Sequence, residues 1–298
     1  MTQETALPGY RDSAFYVDDT GDKPIVDKLI EERCPSFVAH FTWPVVRPVL
    51  HAMLGYRKAR RIADDIEGMP GVQAFDYLSN VLKLEIETHH ADRIPATGRC
   101  VVAANHPTGL ADGIAMWDCL RKVREDVVFF ANADALRVNP AFEDVIIPVE
   151  WVLDKRSPAK ARETLRRAGE AFAEEKCVVI FPSGKLARKV DGVLTEQDWF
   201  STFYSLARKQ AAPIVPIGMT AKNSWLYYTL SKLSSELRDI TLFNELLNKA
   251  GDRFVFRCGH PIDPVAIKGS AAEITPQLRD HVAYGLTRDP DRVFAPEL

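Results

Sequence analysis

The sequence predicts an α/β fold, a mostly parallel mixed sheet flanked by helices, behind a helical N-terminal leader. Three features of the chain point to it. Short apolar, β-rich runs recur at 99–104, 127–131, 145–149, 177–181, 213–218 and 253–258. Helix-period patterns fill the intervals at roughly 111–123, 158–175, 198–210 and 237–249, and strands alternating with helices build parallel sheets covered by those helices. The first 95 residues lack this alternation and read as helical from about residue 24 onward. At 298 residues, 46% of them hydrophobic, the chain is long enough for one large α/β body and far too apolar for a disordered one.

In the leader, Cys34 to Tyr56 hold one fixed charge, Arg47, and "RKARR" at 57–61 comes directly after. An apolar stretch beside a basic cluster suits a membrane surface, where apolar side chains enter the acyl boundary while Lys and Arg meet anionic headgroups. Pro44, Arg47 and Pro48 lie mid-stretch, where a spanning helix would have to bury a charge and broken backbone bonds. A kinked core helix followed by a solvated basic turn fits the same residues. The Pro and Gly of "RIPATGRC", 93–100, mark the hinge into the body, so the chain divides into a leader at 1–92 and a body at 93–298.

The first body strand runs into "VVAANHPTGLADG", 101–113, and ends on a histidine. Strand ends are where open α/β sheets place their chemistry. Pro107 and Gly109 are turn residues, and Asp112 falls in the first turns of the next helix, within reach of His106. A neutral imidazole can take a proton from an attacking hydroxyl near neutral pH. A carboxylate on its other nitrogen would fix the tautomer and stabilise the imidazolium. The substrate can supply the hydroxyl, so no protein nucleophile is needed. A structural histidine at a strand end is the plainer alternative. Gly109 and Gly113 either let the backbone pass close to substrate or serve turn and helix packing.

Two further strand ends carry cations. "EWVLDKRSPAKAR", 150–162, delivers Lys155 and Arg156, then a helix with Lys160, Arg162, Arg166 and Arg167. "CVVIFPSGKLAR", 177–188, is a buried strand ending in the Pro182-Ser183-Gly184 turn, with Lys185 and Arg188 just beyond. Such turns expose backbone N–H groups, and Arg suits bidentate recognition of phosphate or carboxylate. Taken singly, each cluster also reads as a solvated charged face.

Net charge is −3 with the charges interspersed, so no basic field argues for nucleic acid. Five scattered cysteines without C-x-x-C spacing, Cys34, Cys100, Cys119, Cys177 and Cys258, fit reduced thiols in the cytoplasm rather than disulfides or zinc, and no metal is expected. The acidic start of the chain, with Glu4, Asp12, Asp18 and Asp19, has no secretory-signal pattern. An α/β hydrolase would show a G-x-S-x-G elbow and a P-loop a G-x-x-x-x-G-K-[ST] run, and neither occurs.

The order of these motifs resembles the glycerolipid (lysophosphatidate-type) acyltransferase family over roughly 93–262. The matching residues are Asn105, His106 and Asp112 in "NHPTGLAD", Arg156 in "LDKR", Phe181 to Lys185 in "FPSGK", and "APIVPIG" at 212–218. Within that family the chain resembles the bacterial hemolysin-like branch that includes lyso-ornithine lipid acyltransferases, through "NHP-x-G-x-x-DG" and "ELLNKAGDRFVFRCGHPI" at 245–262. Two departures stand out. Five residues separate His106 from Asp112 where the family's commonest form has four, and Ser183 replaces the acidic residue usual in the third motif.

The resemblance implies an O-acyltransferase of phospholipid or other lipid metabolism that moves a fatty acyl group to the hydroxyl of a lysolipid, a lysophospholipid or lyso-ornithine lipid. His106 would be the base and Asp112 its orienting acid. Asn105, Gly109, Lys155, Arg156, Pro182, Ser183, Gly184, Lys185 and Arg188 would contact substrate, with Arg156 on an acidic headgroup and the 182–185 turn on phosphate or oxyanion charge. No bound cofactor is implied, since acyl-carrier protein or acyl-CoA enters as the donor substrate. The expected setting is the cytoplasm, peripherally on the inner face of the cell membrane. A non-catalytic lipid-binding protein that retained the fold is the alternative, and the intact Asn105, His106 and Asp112 argue against it.

Overall fold

The computed structural model describes residues 8–297. The start of the expected leader, with Glu4, lies outside the described residues. Seven strands form one sheet: β1 (Glu85–His89), β2 (Cys100–Ala104), β3 (Val127–Asn132), β4 (Ile146–Val149), β5 (Cys177–Ile180), β8 (Ile214–Thr220) and β9 (Arg253–Cys258). Between β5 and β8, β6 (Arg188–Val190) and β7 (Val193–Thr195) make a separate antiparallel hairpin. The order across the sheet is β1-β9-β8-β2-β5-β3-β4, and every pairing is parallel except β8 with β9. The mostly parallel mixed sheet is therefore present.

The middle strand explains the layering. All five residues of β2 are buried, as a strand covered on both faces requires. Its side chains alternate: Cys100, Val102 and Ala104 face one apolar layer, Val101 and Ala103 the other. On the first layer lie α1 (Ile25–Arg33), α2 (Trp43–Met53), α3 (Tyr56–Ile66), α4 (Gly71–Leu82) and α5 (Leu110–Leu120). The opposite layer holds α6 (Pro158–Ala173), α7 (Thr202–Lys209) and the helix Ala271–Asp280. Val26, Ile30, Trp43, Leu54 and Ile62 of the leader share one core with Trp117 and Phe129 of the body. An ion-pair web of Arg137 with Asp19, Glu32 and Asp134 ties the two at the surface.

The sheet begins at Glu85, inside the stretch assigned to the leader, and not at 93. β1 reads "EIETH", half exposed, because an edge strand pairs on one side only and needs no apolar run. The β6–β7 hairpin was also absent from the sequence reading, although Asp191 and Gly192 at its turn, both at positive φ (50° and 81°), are the residues such a two-residue turn needs. The helical run expected at 237–249 divides into Ser235–Ile240 and Leu242–Asn248.

The 34–61 segment is neither wholly core nor wholly surface. Trp43 and Leu54 are buried, whereas Phe41, Val45, Val49 and Met53 are exposed, Phe41 to 86%. Pro48 sits inside α2, and Arg57, Lys58, Arg60 and Arg61 are exposed on α3. No helix among the described residues is long and apolar enough to cross a membrane. All five cysteines are buried and free.

Candidate active site

The site grows from the end of β2. Asn105 continues the strand with its side chain: Nδ2 donates to the Met219 carbonyl (2.8 Å) and Oδ1 accepts from the Met219 amide (2.7 Å), a main-chain-like clasp onto β8. Its amide is thereby engaged at both ends in holding the loop. The next residue, His106, leaves the sheet with both backbone groups held from the hairpin region. Its carbonyl accepts from the Ala187 amide (2.8 Å), and its amide donates to Glu196 Oε2 (3.1 Å).

Asp112 is completely buried and serves two purposes at once. As the third residue of α5 its carboxylate accepts the amide of the N-cap residue Gly109, the carboxylate half of a capping box. Oδ2 accepts from the amides of Thr108 (2.8 Å) and Gly109 (2.9 Å) and also lies 2.9 Å from His106 Nδ1. The Thr108 hydroxyl donates to Oδ1. These contacts fix the carboxylate, and the carboxylate fixes the imidazole, so Nδ1 carries the hydrogen and Nε2 is left to accept a proton. The His106 side chain keeps 19% of its surface exposed, enough for a hydroxyl to approach. Gly109, at φ 99° and ψ −125°, adopts a backbone that side-chain-bearing residues avoid, and the turn from His106 into α5 requires it.

The second strand end meets the first. Phe181, just after β5, stacks on the His106 ring at 4.4 Å between centroids and 17° between planes. Pro182 is buried and its carbonyl accepts from the Phe200 amide. Ser183 is buried too, with Oγ donating to the Lys185 carbonyl (2.8 Å). Gly184, at φ +57°, passes so close to Trp151 that a Cβ there would stand 1.8 Å from the indole. Its amide is spent on the Phe181 carbonyl. Lys185 and Arg188 are exposed.

The third cluster lies on the surface. Arg156 is exposed and its Nε donates to the Glu150 carbonyl (3.1 Å). Lys155, exposed as well, pairs with Glu32 of α1 at 3.0 Å. Gly113 is half-buried, and a side chain there would meet nothing within 4 Å. Thus His106, Asp112, Gly109 and the 181–184 turn converge, while Asn105, Pro182 and Ser183 act as internal supports. No group of three or more His, Cys, Asp or Glu side chains among the described residues is arranged to hold a metal ion.

Three residues of the site were missed by sequence reasoning. Thr108 braces Asp112, and Tyr284 Oη accepts from the Glu196 amide (3.1 Å). Glu196 itself is 6% exposed, and burial pushes its carboxyl pKa up against the hydrogen bonds from Trp199 Nε1 and the His106 amide. Only the Trp three residues on hinted that a polar partner would be buried there.

Residues 85–220 match the Acyltransferase family model. The chain is 21% identical over 260 residues to a lyso-glycine lipid O-acyltransferase of Phocaeicola vulgatus, spanning 84% of this chain and 88% of that protein. Against the lyso-glycine lipid O-acyltransferase of Bacteroides thetaiotaomicron it is 20% identical over 260 residues, spanning 84% and 90%. A solved structure, the 1-acyl-sn-glycerophosphate (LPA) acyltransferase PlsC from Thermotoga maritima, aligns over 91% of this chain and 98% of its own at 16% identity, with a TM-score of 0.46. The strand-end histidine and the buried carboxylate beside it thus lie inside the stretch that matches the Acyltransferase family model, in a chain similar over most of its length to lipid O-acyltransferases.

Proposed function

We propose that the protein transfers a fatty acyl group from a thioester of acyl-carrier protein or CoA to the free hydroxyl of a lysolipid. The observation that carries this is the His106 Nδ1 to Asp112 Oδ2 contact of 2.9 Å on a wholly buried carboxylate. His106 Nε2 takes the proton of the acceptor hydroxyl as its oxygen attacks the thioester carbonyl. The tetrahedral adduct expels the thiolate, which recovers that proton from the imidazolium. One C–S bond breaks, one ester C–O bond forms, and Asp112 compensates the transient imidazolium charge. No metal or bound cofactor enters these steps.

Lys185, Arg188 and Arg156 are exposed cations on the segments that follow strand ends, suited to an acidic headgroup or to the phosphate of the donor. The curated relatives are named for lyso-glycine lipid, and a lyso-aminolipid headgroup of that kind, with its carboxylate, fits the same cations. The enzyme works at the inner face of the cell membrane: Phe41, Val45, Val49 and Met53 present an exposed apolar face on and before α2, followed by the exposed basic residues of α3.

The test is mass spectrometry of purified protein incubated with lysophospholipids, lyso-ornithine lipid and lyso-glycine lipid, each with acyl-CoA and with acyl-carrier protein thioester. One diacyl product that disappears in His106→Ala is expected. No product with any pair, or equal product with His106→Ala, refutes the reading. Sedimentation with anionic liposomes, weakened by salt, tests the membrane arm.

A further inference from the structure

Glu196 touches the catalytic histidine through the main chain, and nothing in the acyl-transfer chemistry above uses it. Its Oε2 accepts the His106 amide at 3.1 Å, its Oε1 accepts Trp199 Nε1 at 3.1 Å, and its own amide is held by Tyr284. Tyr284 belongs to a π-turn, His281–Gly285, packed against β8 where a Cβ on Gly218 would stand 2.8 Å from the Val282 carbonyl. The carboxylate is therefore held by two N–H donors, its own backbone by a third contact, and it is almost sealed from water.

A neutral acceptor could satisfy one amide and one indole N–H, so a buried carboxylate in this role needs a further reason. The His106 ring supplies one. It meets Asp112 at Nδ1 while Glu196 holds the backbone amide of the same residue, and it becomes cationic during transfer. We infer that Glu196 is a positioning residue: a second buried carboxylate that clamps the His106 backbone against Phe181 and adds negative charge beside the imidazole. This inference rests on His106 being the base.

The charged and titratable groups facing the pair are few. Asp112 faces His106. On its outer side Glu196 borders a cavity of about 180 Å³ lined by Arg188, Gln197, Asp198, Arg279 and Tyr284, in which Arg279 is already paired with Asp198 and Asp280.

The test follows the His106 imidazole by NMR titration of the full-length protein, its signal assigned by loss in His106→Ala, beside kcat on the best substrate pair. In Glu196→Gln the His106 pKa falls by about one unit, because a negative neighbour is gone. Its kcat falls about tenfold with acceptor and donor KM unchanged. Glu196→Asp keeps the charge and shortens the reach, so the pKa stays while kcat drops. An unchanged His106 pKa in folded Glu196→Gln overturns the electrostatic role. Wild-type kcat in Glu196→Asp overturns the clamp, even if the Gln variant does not fold. Should His106→Ala keep wild-type activity, the base assignment itself fails and the inference with it.

Discussion

Replacing Asp112 separates folding from chemistry at one residue. Oδ2 gathers three N–H donors, from His106, Thr108 and Gly109, while Oδ1 meets only the Thr108 hydroxyl. In Asp112→Asn the amide oxygen can take the Oδ2 place and keep all three. Its NH2 then faces a hydroxyl free to rotate and accept. The fold should lose only about 1 kcal/mol, the difference between charge-assisted and neutral hydrogen bonds. Acyl transfer should fall by about 10²–10⁴, because the imidazolium formed as the hydroxyl is deprotonated loses its counter-charge. In Asp112→Ala the buried amides of Thr108 and Gly109 are both orphaned at about 1–3 kcal/mol each, so about 2–6 kcal/mol is lost. That corresponds to a Tm drop of about 5–15 °C. Calorimetry on both variants beside a diacyl-product assay reads the two quantities separately. An Asn variant as unstable as the Ala variant would mean that charge, not the acceptor pattern, closes the cap. Activity within about threefold of wild type in Asp112→Asn would remove the dyad from the mechanism.

Two other perturbations probe the supports of the site. Gly184→Ala must place a methyl in the Trp151 ring at a positive φ of 57°. The combined overpacking and left-handed strain is about 2–5 kcal/mol, and a wild-type urea midpoint would show that the turn is not packed as described. His281 is buried beside Phe294, its Nε2 has no hydrogen-bond partner among the described residues, and burial pushes its pKa down to about 4. The unfolded chain, at about 6.5, binds that proton first, so this share of stability is complete above pH ~6.5 and is lost as pH falls toward 4, about 3 kcal/mol in all. His281→Phe should flatten that slope in urea titrations from pH 7 to 4, and an unchanged slope would assign it to other groups.

What the chain disclosed followed from burial. Strands such as "CVVAA" and "CVVI" are apolar throughout because both faces are covered, and such runs are visible without a structure. β1 hid because an edge strand can be polar. The His106–Asp112 pair was legible because cap, turn and base fall within one short stretch. Glu196 and Tyr284 were not, since their value lies in which distant backbone they reach. Asn105 and Ser183 were visible as motif residues, yet their side chains face inward, toward Met219 and Lys185, a direction that spacing alone does not reveal.

The clasp between Asn105 and Met219 has a consequence for how activity arises during folding. These residues are 114 apart in sequence, and His106 and Glu196 are 90 apart. Closing loops of that size carries an entropic cost that is recovered only when β8 has docked beside β2. The His–Asp contact is local, but its seating against the sheet is not. The His106 loop is therefore fully seated only late in folding, when β8 has found β2, and a nascent chain that ends before Glu196 carries the His–Asp pair without the Glu196 and Met219 contacts that fix it to the sheet.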